Sequence, residues 1–198
     1  MGTYAIASLT EIGADTTAHP SGTLLAHLRG THDCLVRWGC APYLCAAGLY
    51  HSVYTTEAFR TVSVPLHDRA RVRERIGTEA EALVHLYGTM VRRSLYETLA
   101  RGAPHRVVDR TTGADVPLRD VQQLADLMTL DVANRLEQLP RVPMSLWRME
   151  LDRRRYEQAA PLLPRAAFLD VRRAYPRRGW IAIAADGARR RVRRWLAG

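Results

Sequence analysis

Apolar residues recur at helical spacing through most of the chain. Residues 1–18 carry little periodicity, and a Pro20-Ser21-Gly22 break precedes SGTLLAHLRGTHDCLVRWG. There Leu24, Leu25, Leu28, Leu35 and Val36 form a stripe, with Ser21 as the expected N-cap and Gly39 as the stop. A second helix is expected from about Pro42 through APYLCAAGLYHSVY, with proline in its first turn and His51 near its end. A short glycine-containing turn between the two predicts antiparallel packing.

Residues 55–66 read as a loop. The stretch DRARVRERIGTEAEALVHLYGTMVRRSLYETLARG predicts two helical pieces, broken near Gly77 and closed by Gly102, with an apolar stripe through Val72, Ile76, Ala80, Leu83, Val84, Tyr87 and Val91. HRVVDRTTGADVPL is different: two short runs around Thr-Thr-Gly predict a small hairpin, and only this piece looks like β. It leads into a long helix, VQQLADLMTLDVANRLEQL, stopped by Pro140. From Met144 onward, three helical pieces separated by proline or glycine turns form an appendage, which Trp147, Tyr156, Leu162, Leu163, Phe168, Trp180 and Trp195 are expected to dock on the main bundle. The expected architecture is therefore all-α, with residues 1–140 as the domain body and 141–198 as an arginine-rich extension packed on it.

With 198 residues and 47% apolar content the chain can build a real core. No apolar run approaches the roughly 18 residues that span a bilayer, and the N-terminus lacks a basic leader, so the expected location is cytoplasmic with no membrane contact. Cys34, Cys40 and Cys45 lack the paired spacing of a zinc site and read as reduced core residues. The net charge of +9 comes from arginine alone, concentrated after Pro140. Arginine as a solvated helix-face residue is the favoured explanation, and phosphate contact with nucleic acid the less favoured one.

Among the seven histidines, His27 and His51 stand out. Each lies in an apolar helix, on neighbouring antiparallel helices, where a buried ring needs a partner. That partner is either a core hydrogen bond or a metal ion. No Walker loop, dinucleotide fingerprint, GxSxG elbow or HExxH helix is present, which removes the common kinase, dehydrogenase, esterase and zincin readings.

The stretch LLAHLRGTHDCLVRWGCAPYLCAAGLYHS resembles the opening of the HD-domain superfamily of metal-dependent enzymes, over roughly residues 19–138. The resemblance implies that His27 and His51 are ligands, with Asp131 as the later carboxylate and Asp126 as the fallback. The superfamily's aspartate after the second histidine is Ser52 here. The literal pairs His32-Asp33 and His67-Asp68 do not follow an apolar helix, so they are decoys. The chain is similar, more closely, to a small uncharacterised HD-like family with His-Ser at this point, through His51-Ser52-Val53-Tyr54 and Ala133-Asn134-Arg135-Leu136-Glu137-Gln138.

The implied site is one divalent ion (Fe, Mn, Zn or Co) held by His27, His51 and Asp131, with positions open for water or substrate. His67, His85 and His105 are available for a second metal, but the bridging carboxylate is missing, which favours one ion. Glu57, the acid in the HSVYTTE turn, is the candidate for general acid/base work or for an extra ligand. His19 lies near the first helix, and Ser21, Ser52, Tyr54, Arg69, Arg92 and Asn134 are candidate contacts to a small-molecule substrate. Three functions follow in order: a metal-dependent hydrolase of a phosphorylated small molecule or nucleotide, an HD-type non-haem iron oxygenase, and a non-catalytic scaffold whose basic end binds an acidic partner.

Overall fold

The computed structural model describes residues 9, 14, 16–19, 22–57, 61–177 and 179–197, without the side chains of 180, 181 and 192–197. The fold is all-α with a small β-hairpin and a C-terminal helix. Helix α1 (Leu24–Arg37) is capped by Thr23, whose hydroxyl accepts from Ala26 N at 3.2 Å, while the expected cap Ser21 lies outside the described residues. It ends at Gly39, whose φ of 73° turns the chain into α2 (Pro42–Tyr50). His51 is the C-cap of α2, so the helix ends earlier than expected and residues 51–54 form a turn. The two helices lie against each other with His27 near the start of one beside His51 at the end of the other. A Cβ at Gly48 would meet the end of the Leu35 side chain, while the α1 backbone at His32 Cα would stay 3.6 Å away.

A 3-10 turn (Leu66–Asp68) leads into α3 (Arg69–Ile76), and Gly77, with φ of 85°, separates it from α4 (Thr78–Thr89). The single helical piece expected to follow is interrupted again at Met90–Val91, before α5 (Arg92–Arg101). The interruption has a tertiary cause. Val91 N donates to Val108 O at 2.7 Å and Arg110 N to Thr89 O at 2.8 Å, so the hairpin of β3 (Arg106–Val108) and β4 (Asp115–Pro117) pairs with the chain there and pulls two residues out of helical geometry. The hairpin itself matches the expectation. A second pairing of two residues each, β1 (Ala18–His19) with β2 (Gly22–Thr23), precedes α1 and has no counterpart in the sequence reading.

Helix α6 (Val121–Gln138) begins at Asp120, whose carboxylate accepts from Gln123 N at 2.8 Å, and runs through the core against α1, α2, α4 and α5. Its apolar residues Leu124, Leu127, Met128, Leu130 and Val132 are buried, and so are Asp126, Asp131, Asn134 and Glu137. After α6, α7 (Leu146–Gln158), a 3-10 turn (Ala160–Leu162), α8 (Arg165–Ala174) and α9 (Trp180–Ala197) complete the chain. Helices α7 and α8 pack on α5 and α6 through buried Tyr156, Ala159, Leu163, Ala167, Val171 and Tyr175. Trp147 does not help dock this extension: it is 60% exposed. It lies nine residues before the buried Tyr156, about 900° of rotation at roughly 100° per residue, and therefore faces away. The side chains of Trp180 and Trp195 lie outside the described residues. No described helix is long and apolar enough to cross a membrane.

Candidate functional site

His27 sits on the inward face of α1 with Leu24, Leu28, Thr31 and Leu35, and His51 closes α2; each is 1% exposed. Both rings are held from behind. His27 Nδ1 pairs with the Glu137 carboxylate, whose second oxygen pairs with Arg141. Gly30, one turn along α1, makes room for this acid: a Cβ there would lie 2.7 Å from Glu137 Cγ. His51 Nδ1 donates to Gly48 O at 2.7 Å. These partners put a proton on each Nδ1 and leave each Nε2 with its lone pair. The two Nε2 atoms face one another at 3.0 Å.

Burial lowers the pKa of His27 to about 4, with Arg141 and Arg92 acting the same way. His51 is pushed well down by burial and by His27. Two neutral rings with converging lone pairs repel unless a cation or a proton lies between them. Two nitrogens bound cis at about 2.1 Å from one metal ion would lie about 3 Å apart, so the pair fits two positions of a metal's coordination shell. A carboxylate or backbone carbonyl behind each ring is also what orients metal-bound histidine. Among the described residues, no group of three His, Cys, Asp or Glu side chains converges to hold a metal ion. His19, half-buried on β1, stacks on His27 with ring centres 4.1 Å apart, and burial lowers its pKa to about 4.

Asp131, expected as the carboxylate ligand, is engaged elsewhere. Its oxygens accept from the hydroxyls of Tyr96 at 2.5 Å, Tyr156 at 3.0 Å and Tyr87 at 3.2 Å, and Arg92 Nε lies 3.2 Å away. Burial opposes its charge, but Arg92 and the Tyr96 hydroxyl hold the carboxyl below its usual range. Arg92 also lies over the Tyr87 ring at 4.9 Å, and that ring meets His51 edge-on with centres 5.7 Å apart. Asn134 Nδ2 donates to Tyr87 Oη at 2.9 Å. Asp131 thus stands one tyrosine behind His51, and the carboxylate touching the histidine pair is Glu137. The fallback, Asp126, accepts from Tyr43 at 2.8 Å and Gln122 at 2.9 Å.

The remaining candidates divide between structural bonds and the site's edge. Glu57, expected to handle protons, accepts from Arg92 N at 2.8 Å and caps α5. Arg69 and Tyr54 both serve the buried Glu81, Arg69 through two bonds of 2.6 and 2.9 Å and Tyr54 through one of 3.0 Å. Ser52 is buried next to His51, and its carbonyl accepts from Thr55 N at 3.2 Å. Ser21 lies outside the described residues. His32 and Asp33 pair with each other at 3.0 Å on the surface, and His67 and Asp68 lie in an exposed turn.

Sequence reasoning missed Glu137 and the tyrosines around Asp131. The available signal was the series Asp131, Asn134, Glu137, three polar residues at i, i+3 spacing on a face of α6 that is otherwise apolar. No curated protein and no solved structure matches the chain. Over residues 8–92, which include His19, His27, His51 and Arg92 but neither Asp131 nor Glu137, the chain is similar to a family described as a domain of unknown function (DUF6817).

Proposed function

We propose that His27 and His51 hold one divalent metal ion and that the protein is a metal-dependent hydrolase of a phosphorylated small molecule or nucleotide. The observation that carries this reading is the pair of Nε2 atoms facing each other at 3.0 Å, each ring anchored through its Nδ1. A bound divalent ion would polarise a phosphoryl oxygen and lower the pKa of a water. The chain's own residues would do the rest. Glu137 and the Gly48 carbonyl keep both Nδ1 protons in place, so neither ring turns its lone pair away. Arg141, paired with Glu137 and half-exposed, is the cation near the pair that an anionic substrate would meet, whereas Arg92 is buried and neutralised by Asp131. His19, stacked on His27 and only half-buried, is the side chain a substrate reaching the pair would displace or touch.

A second reading is a non-catalytic helical scaffold. It is favoured by the complete engagement of Asp131 with Arg92 and three tyrosines, which removes the third protein ligand that the HD-domain resemblance implies.

Elemental analysis separates the two. Protein purified without chelator or affinity metal, with His27→Ala, His51→Ala and Asp131→Asn alongside, is expected to carry about one equivalent of iron, manganese, zinc or cobalt. Loss is expected in both histidine variants, and the loaded protein should release phosphate from a panel of nucleotides and sugar phosphates. Iron with oxygen uptake and no phosphate release would replace the hydrolase by the oxygenase. No metal in the parent and none taken up on reconstitution, with the variants folded, would refute both enzymes and leave the scaffold.

A further inference from the structure

The excess positive charge of this chain is confined to one end. Residues 141–198 hold fifteen arginines against five carboxylates, whereas residues 1–140 hold fourteen against fifteen. On α7 and α8 much of that charge is answered locally: Arg153 and Arg154 pair with Glu150, Arg148 and Arg155 with Asp152, and Arg173 with Asp170.

Helix α9 is different, because its one carboxylate is already committed. Asp186 Oδ2 accepts from Leu146 N at 3.0 Å and from Arg190 Nε at 3.0 Å, and Arg190 Nη2 donates to Met144 O at 2.9 Å. This clasp fixes α9 beside the first turn of α7. Arg189 and Arg191, on either side of Arg190, have no carboxylate partner among the described residues and are exposed. With Pro143, Ser145, Gly187, the exposed indole of Trp147 and the clasped pair Asp186 and Arg190 they line a groove of about 820 Å³, in which the one carboxylate is already bonded to Arg190 and Leu146 N.

We propose that this groove binds single-stranded nucleic acid, with Trp147 stacked on a base and Arg189 and Arg191 on the flanking phosphates. The charge excess supplies the attraction to a polyanion. The choice among polyanions comes from the indole: a flat aromatic face beside unpaired guanidinium groups is the combination that single strands use, whereas a duplex keeps its base faces stacked internally. An acidic peptide would use the arginines without needing the indole. This inference is independent of the histidine pair.

The test uses the full chain and three probes: a labelled oligouridylate, a duplex of equal length, and vesicles of phosphatidylserine with phosphatidylcholine. Binding is followed by fluorescence anisotropy and by co-sedimentation over a salt series. Trp147→Ala and the double variant Arg189→Ala with Arg191→Ala alter exposed side chains and leave the Asp186 clasp intact, and circular dichroism checks their folding. The single strand is expected to bind more tightly than the duplex. Trp147→Ala should weaken it at least about fivefold with the salt slope unchanged. The double arginine variant should reduce the slope of log affinity against log salt by about 1.4, at roughly 0.7 per phosphate contact. Equal binding of duplex and single strand, insensitivity to either variant, or preference for the vesicles would each overturn the assignment.

Discussion

Replacing Asp131 by asparagine tests whether this residue is a ligand or the anchor of the core. The carboxylate is fully buried, accepts three tyrosine hydroxyls and lies 3.2 Å from the Arg92 guanidinium. Asparagine keeps the shape but removes the charge, turns one acceptor into a donor aimed at tyrosine hydroxyls, and leaves Arg92 buried without its counter-ion. Breaking a buried pair from one side costs about 3–5 kcal/mol. That is a large share of the roughly 5–15 kcal/mol available to a domain, and at about 2–4 °C per kcal/mol it lowers the melting temperature by roughly 10 °C. Urea unfolding followed by circular dichroism measures the loss. The companion variant Arg92→Met, alone and combined with Asp131→Asn, closes a double-mutant cycle, and the double variant should be more stable than the sum of the single losses predicts by at least about 1 kcal/mol. A loss below about 1 kcal/mol for Asp131→Asn, or additive losses in the cycle, would refute the anchor. So would a normally stable Asp131→Asn protein that has lost its metal, which would return the residue to the ligand set.

Three further outcomes are expected. Gly30→Ala should destabilise the protein by about 1–3 kcal/mol despite the better helix propensity of alanine, because the new Cβ would lie 2.7 Å from Cγ of a buried Glu137 bonded to His27; a more stable variant by thermal melting would contradict the close approach. Glu57→Ala should lower stability by about 1 kcal/mol, as loss of a helix cap does, and leave the metal content unchanged; metal loss would restore Glu57 to the site. In metal-free protein, stability should fall as pH drops from 6.5 toward about 4, since burial keeps His19 and His27 neutral there while the unfolded chain takes up their protons. The unfolding midpoint of His27→Gln should fall less over that range, and a parent midpoint that stays flat would show that the rings are not held neutral.

The long helices were legible because each carries a stripe and a stop, as in α1 with Gly39 and α6 with Pro140, whereas the caps Thr23 and Asp120 were not among the expected signals. The break at Met90–Val91 was not, since neither residue is a helix breaker and the chain leaves the helix to pair with a hairpin about eighteen residues away. The histidine pair could be found because each histidine is the polar exception in an apolar stretch. Which acid would meet it could not. Asp131 and Glu137 share α6, and the choice depends on how far α1 slides along that helix, a relation between distant segments with no local signature. Arg92 looked like a substrate clamp for a similar reason: the sequence contains many arginines, and only the packing shows that this one lies among Asp131, Tyr87 and the start of α5.

The docked hairpin has a practical meaning for anyone labelling or tethering this molecule. Its tip, residues 111–113, is exposed and closed on itself by Asp109, whose carboxylate accepts from Thr111 N at 2.7 Å and Thr112 N at 3.1 Å, while Arg110 beside it is anchored to Gly88 O and Thr55 Oγ1. Its base, by contrast, sets where α5 begins and hence where Arg92 enters the core. A tag or fluorophore placed at the tip would therefore be a harmless handle, whereas a single residue inserted at Val107 or Val108 would shift the register of Val91 and be felt at Asp131.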